Sequence, residues 1–130
     1  MLAVSCSRPG TDVARRSASQ NFAQGQPASQ SSTAFSGSAS RAVDGNSNGN
    51  WGANSVSHTD YNRNAWWQVD LGQTVAITSV VLWGRTDCCT DRLSDFYVFV
   101  SAEPFASTDL ADTQQQAGVA SVHVSGRAQT

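Results

Sequence analysis

Arg85-Thr86-Asp87-Cys88-Cys89-Thr90-Asp91-Arg92 gathers two guanidiniums, two carboxylates and two adjacent sulfurs into one short segment, with His58 upstream. Arginine only donates hydrogen bonds, whereas histidine donates or accepts according to its tautomer. Such an array suits the hydroxyl and ring oxygens of a neutral sugar, each of which offers lone pairs. Adjacent sulfurs could add an apolar contact. The pattern stands out because charged residues are 14% of the chain and lysine is absent, against about 25% charge in ordinary domains.

The chemistry on offer is recognition without catalysis. No nucleophile sits beside a base in this pattern. A glycosidase needs a carboxyl pair flanking the scissile bond, and Asp87 and Asp91 look committed to arginine. The bland alternative is that Arg85 and Arg92 brace the fold through Asp87, Asp91 or Asp95, as most charge clusters do. His123 reads as an ordinary surface histidine, and Trp66, Trp67 and Trp83 read as core.

These residues need a scaffold, and the sequence points to strands. Trp67, Val69 and Leu71 alternate with Gln68 and Asp70, the period of a half-buried strand. Val75 to Trp83 is apolar on both faces and predicts a central strand. Phe96 to Val100 repeats that pattern after the charged loop, and Val119 to Val124 gives a weaker strand. Ala28 to Ser38 reads as an extended serine-rich stretch, Ser40 to Val43 as one helical turn, and Asn46 to Ser57 as a polar loop. Short strands with glycine turns and no long helical period indicate an all-β, antiparallel β-sandwich or jelly roll. Residues 1–20 show no periodicity and read as a linker or N-terminal extension, followed by one domain over residues 21–130.

Composition narrows the partners. A net charge of -2 with eight scattered arginines gives no basic stripe for nucleic acid. No apolar run approaches the ~20 residues that span a bilayer. Three cysteines are an odd number, with Cys6 apart from Cys88 and Cys89. The adjacent pair would be two thiols in a reducing compartment or could bridge in an oxidising one. The polar, lysine-free surface favours a secreted or extracellular protein.

Spacing then becomes decisive. Between His58 and Arg85 lie 26 residues, followed by Arg-x-Asp, four residues and Arg92. This resembles the F-type lectin (fucolectin) signature at every fixed position. Ala28-Ser29-Gln30-Ser31-Ser32, Ala42-Val43-Asp44-Gly45-Asn46 and Trp66-Trp67-Gln68-Val69-Asp70-Leu71-Gly72 are similar to the same family and to the wider discoidin-like, coagulation-factor C-domain group. The likeness runs from about Asn21 to the C-terminus.

The resemblance implies a discoidin-like jelly roll that binds terminal L-fucose on glycans, with its C-terminal strand missing from this chain. Carried over by position, His58, Arg85 and Arg92 would hydrogen-bond the sugar, and Asp87 would brace a guanidinium. Cys88 and Cys89 would form a vicinal disulfide pressing on the sugar ring. Trp51 would wall the pocket for the sugar's methyl group, with Phe35 a weaker candidate. The family also implies structural Ca²⁺, held by the Asp44 carboxylate, the carbonyls of Arg41 and Asn46, and oxygens of Ser55. Its other ligands come from the C-terminal strand, so a weaker or incomplete site is expected. Partners would be fucosylated glycans, with membranes met only through glycans. An exposed sheet edge would allow a homo-oligomer. The alternative is a discoidin-type adhesion domain that meets phospholipid through apolar loop residues such as Trp51 and Phe35.

Overall fold

The computed structural model describes residues 2–5 and 20–128. Its five strands are β1 (Leu2–Ser5), β2 (Ala28–Gln30), β3 (Trp67–Asp70), β4 (Ser94–Ser101) and β5 (Val119–Arg127). They form one sheet in the order β2-β3-β1-β4-β5. The β2–β3 and β4–β5 pairs are antiparallel, whereas β1 runs parallel to both neighbours. The protein is all-β and discoidin-like, with little helix.

Three expected strands form close to their predicted places. In β3 the alternation works as read: Val69 is buried while Gln68 and Asp70 are half-buried. Two findings differ at the N-terminus and after β3. The expected extension of residues 1–20 contributes β1, which sits between β3 and β4; Met1 and residues 6–19 lie outside the described residues, as does Cys6. The segment Val75 to Trp83, expected as a central strand, has no ladder partner among the described residues. Its charge-free pattern favours burial on two faces, but a strand is defined by its neighbours as much as by its residues. Val80, Val81 and Trp83 are consequently exposed at 41%, 68% and 65%. Trp83 is therefore not core, contrary to its composition-based expectation. With Phe96, Val98 and Val122, the Val80–Leu82 stretch lines an open apolar groove.

Phe96 and Phe99 are buried on β4, and a second buried cluster lies at the β2–β3 half of the sheet. Val43, Val69 and Leu71 are buried together, with Phe22, Trp67, Val75 and Ile77 packed around them. Trp67 and Trp66 are half-buried, and the indole N–H of Trp67 donates to the carbonyl of Ala39 at 2.9 Å. That bond ties the sheet to the short 3-10 helix Ala39–Val43, the expected helical turn. A six-residue helix, α1 (Leu110–Gln115), was not expected. Its signal was Asp109, whose carboxylate caps the N–H groups of Ala111 and Asp112.

Candidate functional site

Two loops carry the candidate residues: the stretch between β2 and β3 holds Phe35, Arg41, Trp51 and His58, and the stretch before β4 holds Arg85 to Arg92. A single backbone bond, from the N–H of Thr86 to the carbonyl of Gly49 at 2.9 Å, pins one loop to the other. Only glycine permits this approach. A Cβ on Gly49 would collide with the carbonyl oxygen of Gly84 and lie 2.8 Å from the Thr86 methyl.

The His58 side of this surface is fixed by its backbone. Its N–H donates to the carbonyl of Gly37 at 2.8 Å, and its carbonyl accepts from Ala34 at 3.0 Å. The Gln30 amide donates to the carbonyls of Gly37 and His58, at 3.0 and 3.2 Å. Gln30 Oε1 is buried without a partner. A Cβ on Gly37 would stand 2.7 Å from the Cβ of His58. This loop turns on two successive non-glycine residues with positive φ, Phe35 (51°) and Ser36 (59°), a conformation that L side chains seldom adopt.

From these anchors the side chains converge. Arg92 Nη1 lies 3.3 Å from His58 Nε2. Arg85 grips Asp87 with two bonds, Nε to Oδ1 at 2.7 Å and Nη2 to Oδ2 at 3.0 Å. Asp87 Oδ1 also accepts from the backbone N–H of Trp51 at 3.2 Å. The carboxyl of Asp87 is held well below the usual carboxylate range, first by the hydrogen bond from Arg85, then by the N–H of Trp51. Reciprocally, that bond raises the guanidinium of Arg85. The Trp51 ring meets His58 edge-on, with centroids 5.7 Å apart at 85°, and Phe35 meets the same imidazole at 5.4 Å and 85°. The guanidinium of Arg85 lies over Trp51 at 5.1 Å.

The structure thus brings His58, Arg85, Arg92, Trp51 and Asp87 into one contiguous patch. Phe35 is 78% exposed at its rim. Cys88 and Cys89 are joined as a disulfide within the same loop. Cys89 has φ of 58°, and its carbonyl accepts from the N–H of Arg92 at 3.1 Å. The sulfur pair and Arg92 are therefore fixed by one turn. The alternative brace partners of Arg85 and Arg92 separate: Asp95 pairs with His123 at 2.8 Å, and Arg92 has no ion pair among the described residues.

Three of the four proposed metal positions cluster together. Asp44 Oδ1 accepts from Ser55 Oγ at 2.9 Å and from the N–H of Asn46 at 2.7 Å. Ser55 Oγ also donates to the carbonyl of Asn46. These are hard oxygen donors of the kind Ca²⁺ takes, and they fit part of its shell, since Ca²⁺ needs six to eight. The side chain of Arg41 makes a contact of its own, apart from the backbone role expected of that residue. Its guanidinium lies over the Trp51 ring at 5.5 Å, a contact that spacing alone did not reveal. The signal was weak: one arginine at the end of a helical turn.

Comparison with known proteins adds independent observations. Residues 41–129 match the family described as NedA-like, galactose-binding domain. Fucolectin-3 of Anguilla japonica is 45% identical over 62 residues, which cover 48% of this chain and 34% of the relative. Fucolectin of Anguilla anguilla is 46% identical over 56 residues, covering 43% and 35%. The matched stretches thus span about a third of these relatives. Among solved structures, a histidine mutant of the lectin binding domain of Lectinolysin complexed with Lewis b superposes with a TM-score of 0.67. It is 42% identical and covers 83% of this chain and 69% of that one. A Streptococcus pneumoniae fucose binding module gives a TM-score of 0.62 at 33% identity, covering 85% and 70%.

Proposed function

Because this chain belongs to the NedA-like, galactose-binding domain family, and within it to the F-type lectins, we propose that it binds terminal L-fucose on glycans. The observation that carries the reading is the convergence of His58, Arg85 and Arg92 around Trp51 beside the Cys88–Cys89 disulfide. Arg85, fixed on one side by Asp87, keeps guanidinium edge for a sugar oxygen. Arg92 and the Nε2 of His58 face a shared point where a hydroxyl can accept from one and donate to the other. The sulfurs offer a flat apolar surface to one face of the ring. Trp51 and Phe35 border a pocket for the 6-methyl, whose burial contributes about 0.8 kcal/mol.

The module would bind without catalysing, as its relatives are lectins and fucose-binding modules. One monosaccharide makes few contacts, so a dissociation constant on the order of 10–1000 μM is expected. Several copies would supply avidity, and β5, at the edge of the sheet, would allow two copies to pair. Ca²⁺ would support the loop, held by Asp44, the carbonyls of Asn46 and Arg41, and Ser55. Its charge would fix Asp44 where hydrogen bonds alone now hold it. Such a lectin works outside the cell, which accords with an adjacent-cysteine disulfide.

The deciding experiment is calorimetry with methyl α-L-fucoside on the protein, Arg85→Ala and Arg92→Ala. Binding by the unmodified protein and none by either variant, with unchanged circular dichroism, supports the site. Unaltered affinity in either variant overturns it. The phospholipid-surface alternative predicts instead flotation with anionic vesicles that free fucose does not inhibit.

A further inference from the structure

Charge around Trp51 does not balance. The guanidinium carbons of Arg41 and Arg85 lie 5.5 and 5.1 Å from its ring centroid. Arg92 reaches the imidazole whose edge meets the same indole. Three guanidiniums therefore gather on one indole–imidazole pair. A single carboxylate, Asp87, is bonded among them, and both of its oxygens are committed to Arg85. Asp44, three residues beyond Arg41, spends Oδ1 on Asn46 and Ser55.

Arg41 is the distinctive member. Among the described residues its side chain has neither a hydrogen bond nor an ion pair; its contact is the Trp51 ring. Stacking on an indole engages the flat face of a guanidinium and leaves the N–H donors in its plane unanswered. Arg41 is also half-buried, so water satisfies those donors less fully than on an open surface. A neutral deoxy-hexose held by His58, Arg85 and Arg92 does not require a third guanidinium. An anion does, because a planar fork answers the oxygens of a sulfate or carboxylate with paired, charge-assisted bonds.

We propose that Arg41 forms a subsite for an anionic substituent, a sulfate ester or a carboxylate, carried by the sugar next to fucose. The preferred ligands are then acidic fucosylated glycans. This rests on the fucose-binding reading and names the ligand class within it. It assigns to the Arg41 side chain a role distinct from that of its backbone carbonyl.

The test is calorimetry with four ligands: methyl α-L-fucoside, a neutral fucosylated trisaccharide, its O-sulfated form and its sialylated form. Each is measured at low and high salt. At low salt one acidic form should bind about three- to fivefold more tightly than the neutral trisaccharide. The advantage should shrink as salt rises. A gain with the sulfated form alone identifies a sulfate ester, and a gain with the sialylated form alone identifies a carboxylate. Arg41→Gln should bring acidic and neutral forms to equal affinity, whatever it does to the fucoside itself. Arg41→Lys should restore part of the difference. Equal affinities in the unmodified protein, with the fucoside bound, overturn the subsite alone. A difference that survives Arg41→Gln does so too. If the unmodified protein binds no fucoside, the fucose reading fails and the subsite with it.

Discussion

His58 and Arg92 share one hydrogen bond, Nη1 to Nε2 at 3.3 Å, while the opposite ring nitrogen of His58 lies 2.6 Å from the carbonyl oxygen of Thr59. A guanidinium can only donate and a carbonyl can only accept. The neutral imidazole must therefore carry its proton on Nδ1 and accept at Nε2. In that tautomer the single lone pair of Nε2, which takes Arg92 here, can pass to a sugar hydroxyl that inserts between the two side chains. Nitrogen-15 NMR of His58 should give a pyrrole-like Nδ1 and a pyridine-like Nε2 in the neutral form. A proton resident on Nε2 contradicts the arrangement.

Asp87 should stay ionised in acid where ordinary carboxylates do not. Its carboxyl lies below the usual range because Arg85 and the N–H of Trp51 bond the charged form. The sign follows from linkage. The stabilisation is complete above the unfolded carboxylate value, about 3.9, and is lost as pH falls through the depressed folded value. Carbon-13 titration should place Asp87 below the ordinary carboxylate range, and Arg85→Gln should return it towards that range. Asp87→Asn, which keeps the shape and loses the charge, should weaken fucoside binding roughly tenfold through a misdirected Arg85. An Asp87 that titrates in the ordinary carboxylate range removes both expectations.

How much of this was legible in the residues differs from element to element. The β3 strand was readable because Val69 and its neighbours alternate on a two-sided surface. The His58, Arg85 and Arg92 pattern was readable because its spacing is fixed, although those residues sit 3.3 Å or more apart through a fold that no spacing describes. Val75 to Trp83 misled because its apolar content is the same whether or not a neighbouring strand lies beside it. The parallel placement of β1 could not be read at all: four residues carry no register, and pairing partners are set by distant segments. Arg41 over Trp51 was hidden for the same reason, since seven residues of loop separate the helical turn from the indole.

Gly37 should prove indispensable without touching a ligand. A methyl there meets the Cβ of His58 at 2.7 Å, its N at 2.8 Å, and the Trp51 ring at 3.1 Å. Backbone cannot yield cheaply, because the Gly37 carbonyl also holds His58 N–H and the Gln30 amide. Gly37→Ala should therefore displace the imidazole and lower fucoside affinity about tenfold or more, with stability reduced by about 1–3 kcal/mol. Ser36→Ala, beside it and exposed, should leave affinity unchanged. Equal affinity for Gly37→Ala and the parent protein shows that His58 does not set the site.

Reduction should weaken binding before it weakens the fold. The Cys88–Cys89 link lies in an exposed loop, away from the Val43–Val69–Leu71 core. Opening it frees the Cys89 turn that presents the N–H of Arg92. Added dithiothreitol should cut fucoside affinity while leaving the thermal midpoint within a few degrees. Cys88→Ser with Cys89→Ser should reproduce that loss. Identical affinity in the oxidised and reduced protein excludes the sulfurs from the contact surface.

The sheet should split when β1 is removed. Among the described residues, β3 and β4 are not paired with each other; each pairs with β1, Val69 opposite Val4 and Val100 opposite Val4 on its other side. Four residues thus join the β2–β3 half, which carries the Val43–Val69–Leu71 cluster, to the β4–β5 half, which follows the Arg92 loop. Unpaired backbone in the gap would leave buried donors and acceptors unmet at about 1–3 kcal/mol each. Deleting residues 1–5 should therefore lower stability steeply and raise amide exchange at Trp67–Asp70 and Val98–Ser101 together. Amides of the outer β4–β5 ladder, such as Val122, should be affected less. The two loops that form the sugar patch hang from opposite halves, so fucoside affinity should fall in step with that exchange. If the shortened protein keeps both its exchange protection and its affinity, β1 does not join the halves.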